Sequence, residues 1–151
     1  MRERAAELRT QARRGRASDK AAQKAAADAA DVLAKIEGMP DGDRALARRV
    51  HEVVTAAAPD LAPKLYYGQP GYARDGKVVC FFRSGEADGL RYSTFGFSPQ
   101  AELDEAGGLW PTSYALTGEA TGATWERLAR LVERAAGTAT AADPEPSAGH
   151  R

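Results

Sequence analysis

The chain of 151 residues has little of what most catalytic and metal sites are made from. It contains one cysteine, Cys80, which excludes an internal disulfide, and two histidines, His51 and His150. Tight transition-metal sites need several nitrogen or sulfur ligands that converge, so no such site is expected. Cys80 lies in an apolar segment and is predicted to be buried and unreactive. His51 is predicted to be a structural or surface histidine rather than a catalytic one.

The sequence also lacks long apolar runs and an excess of charge. No run approaches the length that spans a bilayer, and basic residues interrupt the N-terminus where a signal peptide would be apolar. These features predict a cytoplasmic protein without membrane contact. The formal net charge is zero, which argues against wholesale electrostatic binding to nucleic acid. No nucleophile elbow, phosphate loop or dinucleotide fingerprint occurs, and the prediction is a protein that is not an enzyme.

Aromatic residues are missing from both ends of the chain, since none precedes Tyr66 or follows Trp125. The last residues are rich in Ala, Thr, Pro and Gly and cannot bury enough surface to offset their ordering entropy. The predicted organisation is a basic helical arm over residues 1–16, one α+β domain over residues 17–136 and a disordered tail over residues 137–151.

The N-terminal region is basic. Residues 1–24 carry eight Arg or Lys against three acidic residues. Composition predicts helices over residues 2–14 and 18–37, separated by Gly15 and with Ser18 as an N-cap. A solvated arm is favoured over a nucleic-acid-binding arm, because the charges are taken to spread around these helices and no aromatic residues lie between them.

The predicted fold class is α+β, with N-terminal helices, an antiparallel sheet of about four to five short strands, and a C-terminal helix packed on the sheet. Apolar periodicity predicts a helix that begins at Asp41 or Asp43, which are interpreted as caps, and a last helix that begins near Thr121 or Thr124. The strands are predicted over residues 65–67, 72–74, 77–83, 90–97 and 112–116.

Residues 77–83 are the best-defined strand. They follow Asp75-Gly76, which is typical of a two-residue hairpin turn. Residues 78–82 are all apolar, which predicts a strand in mid-sheet with both faces covered. Residues 68–71, Gly-Gln-Pro-Gly, predict instead an irregular loop between two short strands.

Three motifs occur in the predicted sheet region: Tyr67-Gly68-x-Pro70-x-Tyr72, Asp75-Gly76-Lys77-Val78-x-Cys80-Phe81-Phe82 and Thr94-x-Gly96-Phe97. On these motifs, and over roughly residues 43–136, the chain resembles the YdhG-like family of small bacterial domains. The family includes a frataxin-like intracellular iron chaperone, so the resemblance implies a non-enzymatic accessory protein that binds a small ligand or weakly held iron. The chain departs from the family pattern at Gln69 and Gly71, on either side of Pro70.

The predicted binding site lies at the end of the sheet that carries the loop over residues 67–72. Arg91 could hold an anionic group by paired hydrogen bonds, while aromatic rings contact an apolar body. The alternative is that the rings build the core and its rim. The predicted ligand-binding residues are Tyr67, Gln69, Tyr72, Arg91, Tyr92 and Trp110.

No cofactor is predicted, and weak iron binding by surface carboxylates is left open. The predicted partners are a small molecule or a metal ion, with a homodimer as a further alternative and nucleic acid disfavoured. The alternative function is a protein-interaction or self-association module without a ligand. The candidate carboxylate clusters are Glu102 with Asp104 and Glu105, Asp41 with Asp43, and Asp28 with Asp31.

Overall fold

Five antiparallel strands in chain order form the sheet of the computed structural model, which describes residues 2–137. The α+β prediction is confirmed. Beyond Gly137 the predicted tail lies outside the described residues. Within residues 2–137 no helix combines the length and the apolar character that crossing a membrane requires. The elements are α1 (Arg2–Glu37), α2 (Asp41–Ala57), β1 (Ala62–Tyr66), β2 (Gln69–Arg74), β3 (Lys77–Arg83), a short 3-10 helix (Glu86–Asp88), β4 (Ser93–Phe97), β5 (Ser113–Leu116) and α3 (Gly122–Ala135).

The N-terminal region is one helix of 36 residues, so the prediction of two helices is wrong. Gly15 and Ser18 both lie in its interior. A glycine in a helix costs about 1 kcal/mol relative to alanine, and the Ala-, Arg- and Lys-rich turns on either side offset this cost. Nearly every residue from 2 to 27 is exposed, and α1 reaches the core only through Val32 and Ile36.

One face of the sheet packs against the helices. Tyr72 lies opposite Cys80 and Phe82 opposite Phe95, and all four side chains are fully buried or nearly so. The prediction that Cys80 is buried is confirmed. Burial raises the pKa of its thiol, which supports the prediction that it is unreactive. The helices contribute Val32, Ile36, Val50, Val54, Leu128 and Val132 to the same core.

The other face of the sheet is open, and the prediction that both faces of the central strand are covered is wrong. Phe81 is half-buried there and its neighbour Arg83 is exposed. The Phe81 ring lies across Gly96 of the adjacent strand, where a Cβ atom would stand 2.4 Å from the ring. The glycine thus lets the ring lie flat on the backbone of the sheet.

The apolar run in β3 has a local cause. The register between β2 and β3 shifts at Tyr72 and Ala73, so that Val79 is an extra residue between the pairs made by Val78 and Cys80. This bulge allows Val79 and Cys80 to be buried one after the other, with 3% and 0% of their surface exposed. A run of apolar residues therefore occurs in a strand that has only one covered face.

Candidate functional site

Four of the six predicted ligand-binding residues lie at one end of the sheet. Antiparallel pairing brings the start of β2 beside the end of β3, and the backbone N–H of Ser84 donates to Oε1 of Gln69 at 3.4 Å. Tyr67 is in the turn before β2, and Arg91 and Tyr92 directly precede β4 at the same end. They do not form one site, because the structure divides them between two concavities.

The first concavity is a cavity of about 420 Å³ on the open face of the sheet, which we name the aromatic groove. The ring centroids of Tyr66 and Phe81 are 5.1 Å apart with an interplanar angle of 34°. Tyr67 stands edge-on to Tyr66, with a centroid distance of 4.7 Å. Arg83 forms an ion pair with Asp88, with 2.8 Å between Nη2 and Oδ2. The groove is lined by Tyr66, Tyr67, Gln69, Phe81, Arg83 and Asp88.

Tyr67 adopts an unusual backbone conformation at the rim of this groove. Its φ is 49° and that of Gly68 is 78°, two positive values in succession as in the tight hairpin turns that usually carry Asn-Gly. Residues 69–71 belong to β2, so the irregular loop predicted over residues 68–71 is wrong and the turn is Tyr67-Gly68 alone. A bulky residue in this region is strained by about 1–2 kcal/mol. Tyr67 is also 89% exposed, so core packing does not offset the strain.

The second concavity, of about 250 Å³, lies between α2 and the segment that connects β3 to β4. We name it the Asp43 cavity. The Arg91 guanidinium stacks on the Tyr92 ring, 5.1 Å from its centroid, and both side chains are exposed at the rim. Leu46 and Leu116 supply apolar walls. The predicted pair Arg91 and Tyr92 therefore lies apart from the predicted pair Tyr67 and Gln69.

Asp43 is buried at the wall of this cavity, and the prediction that it caps α2 is wrong. The helix begins at Asp41 without a side-chain cap. One carboxylate oxygen of Asp43 accepts hydrogen bonds from the Ser84 hydroxyl and, at 2.9 Å, from the backbone N–H of Glu86. The other accepts the Ser93 hydroxyl at 3.1 Å. Asp43 thus fastens the segment between β3 and β4 to the first turn of α2.

Neutral groups supply all the hydrogen bonds to the Asp43 side chain. Among residues 2–137 it takes part in no ion pair. The first turn of a helix favours a negative charge, and hydrogen bonds to a charged acceptor are stronger than neutral ones. Sequence reasoning missed this network because Ser84 and Ser93 are 41 and 50 residues away from Asp43.

Tyr72, the fifth predicted residue, is part of the core. None of its surface is exposed, and its hydroxyl is 3.0 Å from Nδ1 of His51. Burial raises the pKa of the Tyr72 hydroxyl and lowers the pKa of the His51 imidazole, although nearby Glu52 acts in the opposite direction on His51. Tyr72 is therefore a core residue, as in the alternative interpretation of the aromatic rings, and His51 is the polar partner of its hydroxyl.

Trp110, the sixth predicted residue, lies at the other end of the sheet. It lines a cavity of about 360 Å³ together with Phe97, Ser98 and Leu103, beyond the last residue of β4. Because Arg91 and Tyr92 precede the first residue of β4, Trp110 is separated from them by the length of that strand. Trp110 therefore belongs to neither the aromatic groove nor the Asp43 cavity.

The acidic clusters do not assemble into a metal site in the described part of the chain. Over residues 2–137, no group of three or more His, Cys, Asp or Glu side chains is placed to hold a metal ion. Asp28 is paired with Lys24 at 3.1 Å and Asp41 with Arg44 at 3.2 Å. Glu105 lies 3.6 Å from Arg134. His150 lies outside the described residues.

The comparisons with known proteins do not assign a family to this chain. No family model matches it, and no curated protein and no solved structure is significantly similar to it.

Proposed function

We propose that this protein is a non-enzymatic binding protein that takes a small molecule with a planar ring in the aromatic groove. The observation that carries the proposal is Tyr67, which is 89% exposed and has a φ of 49°. Strained residues that the core does not require are concentrated at binding and catalytic sites. A tyrosine held in this conformation beside two further rings is suited to contact a flat apolar body.

The groove offers polar groups as well as rings. Oε1 of Gln69 accepts from the Ser84 N–H, which orients the amide and leaves its NH₂ group to donate to a ligand. Arg83 lines the same groove and is oriented by Asp88. A volume of about 420 Å³ falls within the range of small-molecule sites. These features support a ligand that combines a planar ring with hydrogen-bond acceptors on its edge.

The lining of the groove favours binding over bond-breaking chemistry. Its six residues include no Ser, Thr, Cys or His, so the usual pairing of a nucleophile with an imidazole base is not available there. Membership of the YdhG-like family and a frataxin-like role in iron binding remain predictions. Iron binding by convergent carboxylates receives no support from the arrangement of the acidic side chains over residues 2–137.

The proposal is tested with two matched tyrosine variants, Tyr67→Ala in the aromatic groove and Tyr92→Ala in the Asp43 cavity. A panel of small heteroaromatic compounds is screened against the full-length protein by ligand-observed NMR, and native mass spectrometry identifies any molecule that copurifies. Tyr67→Ala should weaken binding at least tenfold, which is about 1.4 kcal/mol. Tyr92→Ala should leave it within twofold.

Two results would contradict the proposal. Equal losses of ligand affinity in Tyr67→Ala and Tyr92→Ala would show that the aromatic groove is not the binding site. Absence of any ligand, together with a concentration-dependent dimer that Tyr67→Ala dissociates, would favour the alternative of a self-association module. Sedimentation velocity at several protein concentrations distinguishes this second result from simple loss of binding.

A further inference from the structure

Because α1 is one continuous helix rather than two, the positions of its charges around a single helix axis can be compared. Because an α-helix advances about 100° per residue, its cations can be placed around the axis by position alone. Six of the eight Arg and Lys residues in positions 2–24 fall within an arc of about 80°. None of the acidic residues Glu3, Glu7 and Asp19 falls within this arc. We name the six the cationic face: Arg2, Arg9, Arg13, Arg16, Lys20 and Lys24.

The cationic face points away from the rest of the protein. Val32 and Ile36, which anchor α1 in the core, lie on the other side of the helix, roughly 140° from the centre of the arc. Lys24 pairs with Asp28 at 3.1 Å and is the one member of the face with an ion pair among residues 2–137. The other five cations are exposed to solvent. The row is about 33 Å long, at 1.5 Å per residue from Arg2 to Lys24.

We infer that this face binds duplex DNA through its phosphates. A row of cations that faces outward without intervening acids is complementary to a polyanion. The exposed helix, about 10–12 Å across, fits the major groove of B-form DNA, which is about 12 Å wide. Contacts to phosphates alone make the binding independent of sequence. The inference reverses the sequence-based expectation, which rested on two helices with scattered charges.

Other binding partners fit the exposed part of α1, residues 2–27, less well than duplex DNA. A helix that lies on a membrane needs a face of large apolar side chains, and Leu8 is the one such residue in positions 2–27. Single strands are bound by stacking on aromatic rings, which the arm lacks. Duplex RNA has a deep and narrow major groove that does not admit a helix. Protein interfaces depend on apolar or aromatic anchors, which are also missing here.

The test compares two double variants that remove the same charge from the same helix. Arg9→Gln with Arg16→Gln changes the cationic face, whereas Arg4→Gln with Arg14→Gln changes cations on other sides of α1. Glutamine has nearly the helix propensity of arginine, and circular dichroism checks that helicity is kept. Fluorescence anisotropy measures binding of the full-length protein to a labelled duplex DNA of about one to two helical turns over a range of salt concentrations.

The cationic-face variant should bind DNA at least tenfold more weakly, and its slope of log affinity against log salt should fall by about 2. The control pair should stay within about twofold of the unchanged protein. Arg13→Gln with Lys20→Gln should repeat the loss. Three results would each overturn the inference. The first is an equal loss of DNA affinity in the cationic-face pair Arg9 and Arg16 and in the control pair Arg4 and Arg14. The others are absence of DNA binding at low salt, and tighter binding to duplex RNA, anionic vesicles or an acidic peptide than to duplex DNA.

Discussion

The two faces of the sheet hold their aromatic side chains in different ways. On the covered face Tyr72, Phe82 and Phe95 are fully buried, and the polar group of Tyr72 has a partner in His51. On the open face Tyr66 and Phe81 are half-buried and Tyr67 is exposed. The covered rings build the core, whereas the rings of the open face contact one another and, at Gly96, the backbone of the sheet. The difference supports the proposal that the open face serves binding, because exposed aromatic surface is typical of interaction sites.

The largest expected effect is a difference in stability between charged substitutions at Val79 and at Phe81, two residues apart in β3. Val79→Asp should unfold the protein, because an unpaired charge in the core costs several kcal/mol. Phe81→Asp should leave a folded protein that is less stable by about 1–2 kcal/mol, since its side chain is only half-buried. Urea denaturation followed by circular dichroism measures both. Unfolding by Phe81→Asp would show that the outer face is part of the core.

The helix side of the sheet also depends on the Asp43 network. Asp43→Asn should lower the free energy of unfolding by about 2 kcal/mol, because the amide cannot accept all three hydrogen bonds of the buried carboxylate. Asp41→Asn is the matched control in the same helical turn. It should cost no more than about 0.5 kcal/mol, because its carboxylate is exposed and forms only a surface ion pair. Equal losses would contradict the role of Asp43.

The His51–Tyr72 contact predicts a pH dependence on the covered face. Because burial lowers the pKa of His51 in the folded state, the unfolded chain binds the proton more tightly than the folded protein. Stability from this group is complete above the ordinary pKa of about 6.5 and is lost as pH falls below it. The urea midpoint should therefore drop between pH 7.5 and pH 5. His51→Gln should show a smaller drop, and an unchanged drop would assign the effect to other groups.

Sequence reasoning was most successful where structure is local. The predicted strand at residues 77–83 has the bounds of β3, because Asp75-Gly76 fixes a hairpin turn and the apolar run follows at once. It failed at Gly15, where one glycine did not break a helix-forming stretch. Sequence reasoning also assigned both faces of β3 to the core. The apolar run over residues 78–82 contains a bulge, and the sequence of such a run does not show which of its residues point outward.

The candidate site was predicted in part for the same reason. The sequence placed Tyr67, Gln69, Arg91 and Tyr92 at one end of the sheet, where the structure also has them, because turns and strand ends can be placed from local signals. Which of them share a cavity depends on pairing between distant strands, and this placed Tyr72 in the core. The partners of Asp43 depend on contacts between segments more than forty residues apart, which no local pattern reveals.

The most direct test of the central claim, that Tyr67 serves binding rather than folding, compares the two hairpin turns of the sheet. Tyr67 and Asp75 have nearly the same φ, 49° and 53°, and each is followed by a glycine with positive φ. Asparagine tolerates this conformation better than tyrosine and about as well as aspartate. The free energy of unfolding, measured by urea denaturation, should rise by about 0.5–1 kcal/mol for Tyr67→Asn and change by less than about 0.3 kcal/mol for Asp75→Asn. A loss of stability in Tyr67→Asn would show that this tyrosine supports the fold and would contradict the account.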